Sequence, residues 1–240
     1  MSSTSLLLAV AATLVAGVSR GMLGFGAALI IVPTLVVLYG PVEAALVMSL
    51  IEVPAVAYLL PTTIRHADWR GITPLALASL LTIPLGAWLL AVVDADVTRR
   101  AIGALVVVMG LTLASGWRYR GRIDRVLEVV VGLASGVVSG LANIGGPIVV
   151  LFLFATRAGA LGVRATIMAY FSFSTLYRIA VYLALAMYAL PSLRLAAILA
   201  GPYLLGIWLG TRWFRKVSDV LFRRLAIALV VVTGSVALLG

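Results

Sequence analysis

The sequence predicts an all-α polytopic membrane protein built from two homologous repeats, and three observations carry that prediction. Of 240 residues, 63% are hydrophobic and 11% are charged, with a mean hydropathy of +1.19. Apolar runs near 20 residues recur along the whole chain, each long enough to cross a hydrocarbon core of roughly 30 Å. The chain also repeats itself. Laying residues 17–40 over 136–159 aligns Gly17 with Gly136, Gly21 with Gly140, Gly26 with Gly145 and Gly40 with Gly159. Further on, LGAWL (85–89) matches LGIWL (205–209), and RRAIGALVVVMG (99–110) matches RRLAIALVVVTG (223–234). A transmembrane barrel is excluded, because its strands would alternate polar and apolar residues in segments of about 10.

The repeats run from about 5 to 117 and from about 125 to 240, within a single membrane domain covering 1–240. Each has four apolar segments, about eight helical segments in all. The first repeat has them at roughly 5–38, 42–61, 71–93 and 101–117; the second at roughly 126–156, 165–190, 193–211 and 219–239. No stretch between them is long enough for a soluble domain. The start, MSSTSLLLAV, lacks the basic residues of a secretory signal and is read as the beginning of the first span. There are no cysteines, which removes disulfides, thiol catalysis and thiolate metal sites.

The opening segment of each repeat, at about 30 residues or more, is too long for one crossing and contains a glycine cluster. Loop charges test how often it crosses. If each of the eight segments crosses once, the loop Arg and Lys residues divide nine against seven, which is no bias. If the long segments enter and return, the division becomes thirteen against three, with only Arg99, Arg100 and Arg194 on the minority side. The positive-inside rule prefers the second count. Each half then crosses an odd number of times, the halves lie inverted, and both termini face outward. The net charge of +10 is explained by the same short basic loops acting as topology signals and lipid-headgroup contacts, so nucleic acid is not expected as a partner.

Backbone in hydrocarbon must satisfy its own hydrogen bonds, so a helix breaks there only against protein or a wet cavity. Gly21, Gly24 and Gly26 in the first cluster, and Gly140, Asn143, Gly145, Gly146 and Pro147 in the second, suit such a break. Pro147 fits the first turn of a new helix, where a missing N–H costs nothing. Helices starting near residues 26 and 146 would aim free N–H groups and positive dipole ends at the membrane centre, an anion site. Two inverted halves would bring the two starts face to face. Glycines spaced by four, such as Gly17 and Gly21, or Gly132, Gly136 and Gly140, read as helix packing instead. GFG and NIGGP do not stay on one helix face and read as breaks.

Ionisable residues at membrane depth are costly and mark function by default. Three stand inside spans: Arg20, Glu52 and Arg178. Arg20 precedes the first glycine cluster, where it adds charge to an anion site or pairs with Glu52. Glu52 is a candidate to carry a coupling proton, and Glu52 with Arg178 forms a candidate coupling or structural ion pair. Ser139, Ser172, Ser174, Thr175, Tyr170 and Tyr177 offer neutral hydrogen bonds, mostly expected to be structural. His66 is the only histidine and sits in a charged loop. No carboxylate or histidine cluster suggests a metal, no nucleophile–base set suggests an enzyme, and no cofactor is implied.

The motif GVSRGMLGFGAALIIVP, the second-half SGLANIGGP and the downstream RATIMAYFSFSTLYR together resemble the sulfite exporter TauE/SafE family of membrane transporters. The resemblance covers essentially the whole chain. It implies the movement of small sulfur-containing anions, such as sulfite, sulfoacetate and other sulfonates, across the bacterial inner membrane. The expected function is therefore a secondary transporter for a small anion working by alternating access, in a multi-pass inner-membrane protein. Substrate binding is expected at Arg20, Gly21, Gly24, Gly26, Asn143, Gly145, Gly146 and Pro147. The expected partners are the anion, a coupling proton or ion, and the lipid bilayer; a homodimer is among the assemblies the sequence allows. An anion channel or a non-transporting scaffold subunit are the rival classes.

Overall fold

Several helix boundaries fall at glycine or aspartate, among them Gly24, Gly40, Asp68 and Asp124. The computed structural model describes residues 3–115, 124–155 and 160–214. Among these residues lie α1 (Ser3–Leu23), α2 (Ala27–Tyr39), α3 (Pro41–Thr63), a 3-10 turn (Ile64–His66), α4 (Trp69–Val92) and α5 (Ala95–Ala114). They continue with α6 (Arg125–Ala142), α7 (Gly146–Ala155), α8 (Ala160–Ala184) and α9 (Leu190–Phe214). Gly40 caps α3 with Pro41 at its first turn, while Asp68 and Asp124 accept backbone N–H bonds at the starts of α4 and α6. Six helices, α1, α3, α4, α6, α8 and α9, are long and apolar enough to cross a membrane. Large apolar side chains such as Leu7, Val37, Leu81 and Val126 stand on the outside, as lipid contact requires.

Both long opening segments are broken, residues 5–38 into α1 and α2 and residues 126–156 into α6 and α7. The predicted segment at 219–239, and with it the 223–234 match, lies outside the described residues. The order of the first half, long helix, short helix, then long helices, recurs in the second.

The two halves interlock. Helix α1 of the first half lies along α9 of the second, and α6 of the second lies along α4 of the first. Glycine lets these backbones meet. A Cβ on Gly17 would fall 2.3 Å from the Tyr203 carbonyl oxygen, and one on Gly206 would fall 2.3 Å from that of Leu14. Across the other seam, a Cβ on Gly140 would sit 2.1 Å from the Ile83 oxygen, and one on Gly86 would sit 2.1 Å from that of Val137. Small residues at such seams replace the hydrophobic drive that lipid removes. Thr82 adds a bond from its hydroxyl to the Leu133 carbonyl, 2.8 Å, across α4 and α6. The buried apolar core draws on both halves, from Leu29 and Ile51 to Val150, Ile167 and Ile207.

One charge is placed differently from the sequence reading. Arg164 falls just before the predicted segment at 165–190 and so belongs to the loop cations of the charge count, but it lies within α8, is 6% exposed, and donates to the Gly21 carbonyl at the end of α1. The reason is geometric: α8 begins at Ala160, before the apolar run itself.

The seams generate a prediction. Gly206→Val and Gly140→Val should each destabilise the detergent-purified protein by about 1–3 kcal/mol through overpacking, read as a lowered melting temperature. Gly103→Ala, where an added Cβ meets nothing within 4 Å, should leave it unchanged or raise it.

Candidate functional site

Each break uses the same local device. Helix α1 ends as Gly24 turns left-handed (φ +84°), and α6 ends as Asn143 does the same (φ +61°). These two residues are 119 positions apart, the offset that aligns the glycine clusters. Among residues with a side chain, asparagine tolerates this conformation best, so position 143 keeps the turn and gains an amide. Gly26 (φ +93°) then precedes α2 with no side-chain cap, and α7 starts at Gly146–Pro147. The freed carbonyls are covered by protein. Ser19 Oγ donates to the Phe25 carbonyl and Ser135 Oγ to that of Gly145, each at 3.0 Å, and Ser135 also shares a 2.9 Å bond with the Tyr170 hydroxyl.

The two breaks meet around one small cavity. Its lining takes Arg20, Phe25, Gly26, Ala27, Ala28, Leu29, Met48 and Glu52 from the first half. The second half contributes Asn143, Ile144, Gly146, Pro147 and Phe171. Glu52 stands near the midpoint of the 23-residue α3, so at about 1.5 Å rise per residue the cavity lies near the middle of that span.

Its electrostatics centre on a buried ion pair. Arg20 Nη2 donates to Glu52 Oε2 at 2.9 Å, with the two side chains 3% and 4% exposed. Arg20 Nη1 donates to the Gly24 carbonyl, tying the guanidinium to the broken backbone, and the Tyr203 hydroxyl donates to Glu52 Oε1. The guanidinium lies 5.2 Å from the Phe171 ring centre, within cation–π range. Its place in the last turn of α1 also suits the negative end of that helix. Two of the lining residues each have a buried donor with no partner, Arg20 Nε and Asn143 Nδ2. Buried donors normally find acceptors, so this pair calls for one.

Of the residues singled out from sequence, Arg20, Gly26, Glu52, Asn143, Gly146 and Pro147 line the cavity. Gly21, Gly24 and Gly145 do not. A Cβ on Gly21 would meet the Ile207 carbonyl, so this glycine serves packing against α9. Gly24 supplies the left-handed turn and packs against Arg164 and Met168, and Gly145 nests against Ser135 and Ser139.

The candidate pair of Glu52 with Arg178 is not formed. Both Glu52 oxygens are taken, by Arg20 and Tyr203, while Arg178 bonds to Ser49 and Thr175. Tyr203 escaped the sequence reading because nothing in AGPYLLG marks its hydroxyl as polar business; only the packing of α9 on α1 brings it to Glu52.

Chemically, the arrangement offers buried donors, a half-neutralised guanidinium and two helix starts to an acceptor-rich, negatively charged group. Among the described residues no group of three metal-ligating side chains occurs. In comparisons with known proteins, the family model described as Sulfite exporter TauE/SafE matches residues 9–237. No curated protein and no solved structure matches.

Breaking the pair tests the electrostatics. Glu52→Ala leaves a buried guanidinium uncompensated and should cost about 3–5 kcal/mol of stability. Replacing both partners, Arg20→Met with Glu52→Leu, should recover most of that loss; melting of the purified variants compares the two.

Proposed function

The chain belongs to the sulfite exporter TauE/SafE family, membrane transporters of sulfur anions, and we propose that it is a secondary transporter for a small sulfonate or sulfur oxyanion of the sulfite or sulfoacetate type. It is a multi-pass membrane protein, and the bacterial inner membrane is its proposed location. One observation carries the anion site: Arg20 and Asn143 line the same cavity beside two helix starts, and each has a buried donor without an acceptor, Nε and Nδ2. An oxyanion placed there satisfies donors that nothing else satisfies.

Binding shares Arg20 between the substrate and Glu52. The substrate competes with the carboxylate for the guanidinium, which makes Glu52 the group through which a proton or ion is coupled to the anion. The sequence carries no phosphate loop, so the driving force is an ion gradient, a proton gradient or the substrate's own. Alternating access follows from bodies that move against one another around a central site. The glycine seams favour α1 with α9 as one body and α4 with α6 as the other, in place of the two sequence halves. Inversion of the halves belongs to this proposal and is supported by the loop-charge division.

Asn143→Gly removes the amide while keeping a residue that accepts the left-handed turn. In thermal unfolding of the purified protein, a sulfur anion at 100 times its Kd should stabilise the wild type by about 2.7 kcal/mol. The variant should fold normally and lose most of that shift at the same concentration. An equal shift in the variant, or none in the wild type with sulfite, sulfoacetate, isethionate or sulfate, would refute the site.

A further inference from the structure

The cavity between the two breaks is built from matching positions of the two repeats, and some of them carry opposite chemistry. Phe171 stands 119 residues after Glu52, and Gly146 stands 119 after Ala27, the offset that also relates Gly24 to Asn143. Glu52, Phe171, Ala27 and Gly146 all line the cavity. At one position the first half places a carboxylate bonded to Arg20 and Tyr203. At the matching position the second half places a phenyl ring.

That ring has a particular seat. An added Cβ on Gly146 would fall 2.6 Å from Phe171 Cζ, so the tip of the ring rests on the backbone at the start of α7. Alanine, the residue at the matching position 27, would put its Cβ into the ring. On its other side the ring meets the first break, with the Arg20 guanidinium carbon 5.2 Å from the ring centre. Tyr170 packs against it edge-on, with 5.4 Å between ring centres. The phenyl group therefore spans the space between the cation of the first break and the helix start of the second.

Volume decides what this means for a ligand. The cavity measures about 30 Å³, room for a few waters at about 10–15 Å³ each. The oxygens of a sulfonate go to the donors of Arg20 and Asn143, so its tail shares the remaining space with apolar neighbours, Phe171 among them. A short tail is of the order of that space, and a ring-sized tail is not. Phe171→Ala changes the limit, because it leaves a phenyl-sized hole beside the cavity. An apolar hole on the order of 150 Å³ takes up a benzene-sized guest.

We propose that Phe171 sets the size of the anion, admitting a sulfonate with a short tail and excluding one whose tail is as large as its own ring. This rests on the anion-site reading above and adds the tail size of the substrate. Sulfite and sulfoacetate fall inside the limit, and aromatic sulfonates fall outside it.

The test uses methanesulfonate and benzenesulfonate, which share a headgroup and a charge and differ in the tail. Their affinities are measured by titration calorimetry on the purified full-length protein in one detergent. The wild type should bind methanesulfonate at least tenfold more tightly than benzenesulfonate. Phe171→Ala should bind benzenesulfonate at least tenfold more tightly than the wild type does. Its affinity for methanesulfonate should change by less than about fivefold, the range of one cation–π contact. Phe173→Ala removes an exposed ring two residues further along α8 and should leave both affinities unchanged. If Phe171→Ala does not fold, Phe171→Leu should shift the preference the same way by a smaller factor. Equal binding of the two probes by the wild type, an unchanged preference in the folded Phe171 variant, or an equal gain in Phe173→Ala overturns the size limit and leaves the anion site standing. Absence of methanesulfonate binding by the wild type overturns both.

Discussion

A chain that unwinds a helix inside a bilayer must find a partner for every N–H and C=O it frees, because hydrocarbon offers none. Much of this protein's interior follows from meeting that requirement twice. At the first break, Arg20 holds the Gly24 carbonyl, Ser19 that of Phe25 and Arg164 that of Gly21. At the second, Ser135 holds the Gly145 carbonyl and Tyr182 that of Gly140, 2.7 Å away. Among the described residues that line the cavity, the buried side-chain atoms left without a partner are both donors, Arg20 Nε and Asn143 Nδ2. Two donors that lack acceptors beside one cavity suit that cavity to an anion.

The same requirement explains why the halves interlock. A break needs protein around it, and each half supplies the wall for the other's first helix: α9 against α1, α4 against α6. Close approach there depends on Gly17, Gly206, Gly86 and Gly140, whose missing side chains let one backbone touch the next. The buried ion pair belongs to this arrangement too, since α1 brings Arg20, α3 brings Glu52 and α9 brings Tyr203 to one point. Packing and function share residues, so a position such as Gly21 that looks like part of a binding loop turns out to be a contact surface.

The two breaks were legible because hydropathy and glycine spacing disagreed: a 30-residue apolar run is too long for one span, and GFG and NIGGP do not keep to one helix face. Arg20 and Glu52 were legible as charges out of place. Which charge meets which was not, because that depends on how far α3 is turned relative to α1, α8 and α9. A rotation of one residue on α3, about 100°, separates the face that meets Arg20 from the next. Arg164 was misplaced for a related reason: α8 extends beyond its apolar run, and a charge near the end of a run looks like a loop. Met48 carries no signal of its own in sequence, since an apolar residue lining a cavity looks like any other in the core.

The most direct test exploits the absence of cysteine from the chain. A single cysteine at Ala28, which lines the cavity and is partly exposed, can be labelled with a small water-soluble thiol reagent in reconstituted vesicles. Ala95→Cys, exposed at the start of α5, serves as the reference. If the two breaks enclose a wet, anion-binding cavity at the centre of the protein, Ala28→Cys reacts, and isethionate or methanesulfonate slows its labelling at least several-fold. The same anions leave labelling at the reference unchanged. Labelling at Ala28→Cys that no sulfur anion slows would contradict the account, because the donors at the breaks would then serve packing and nothing else.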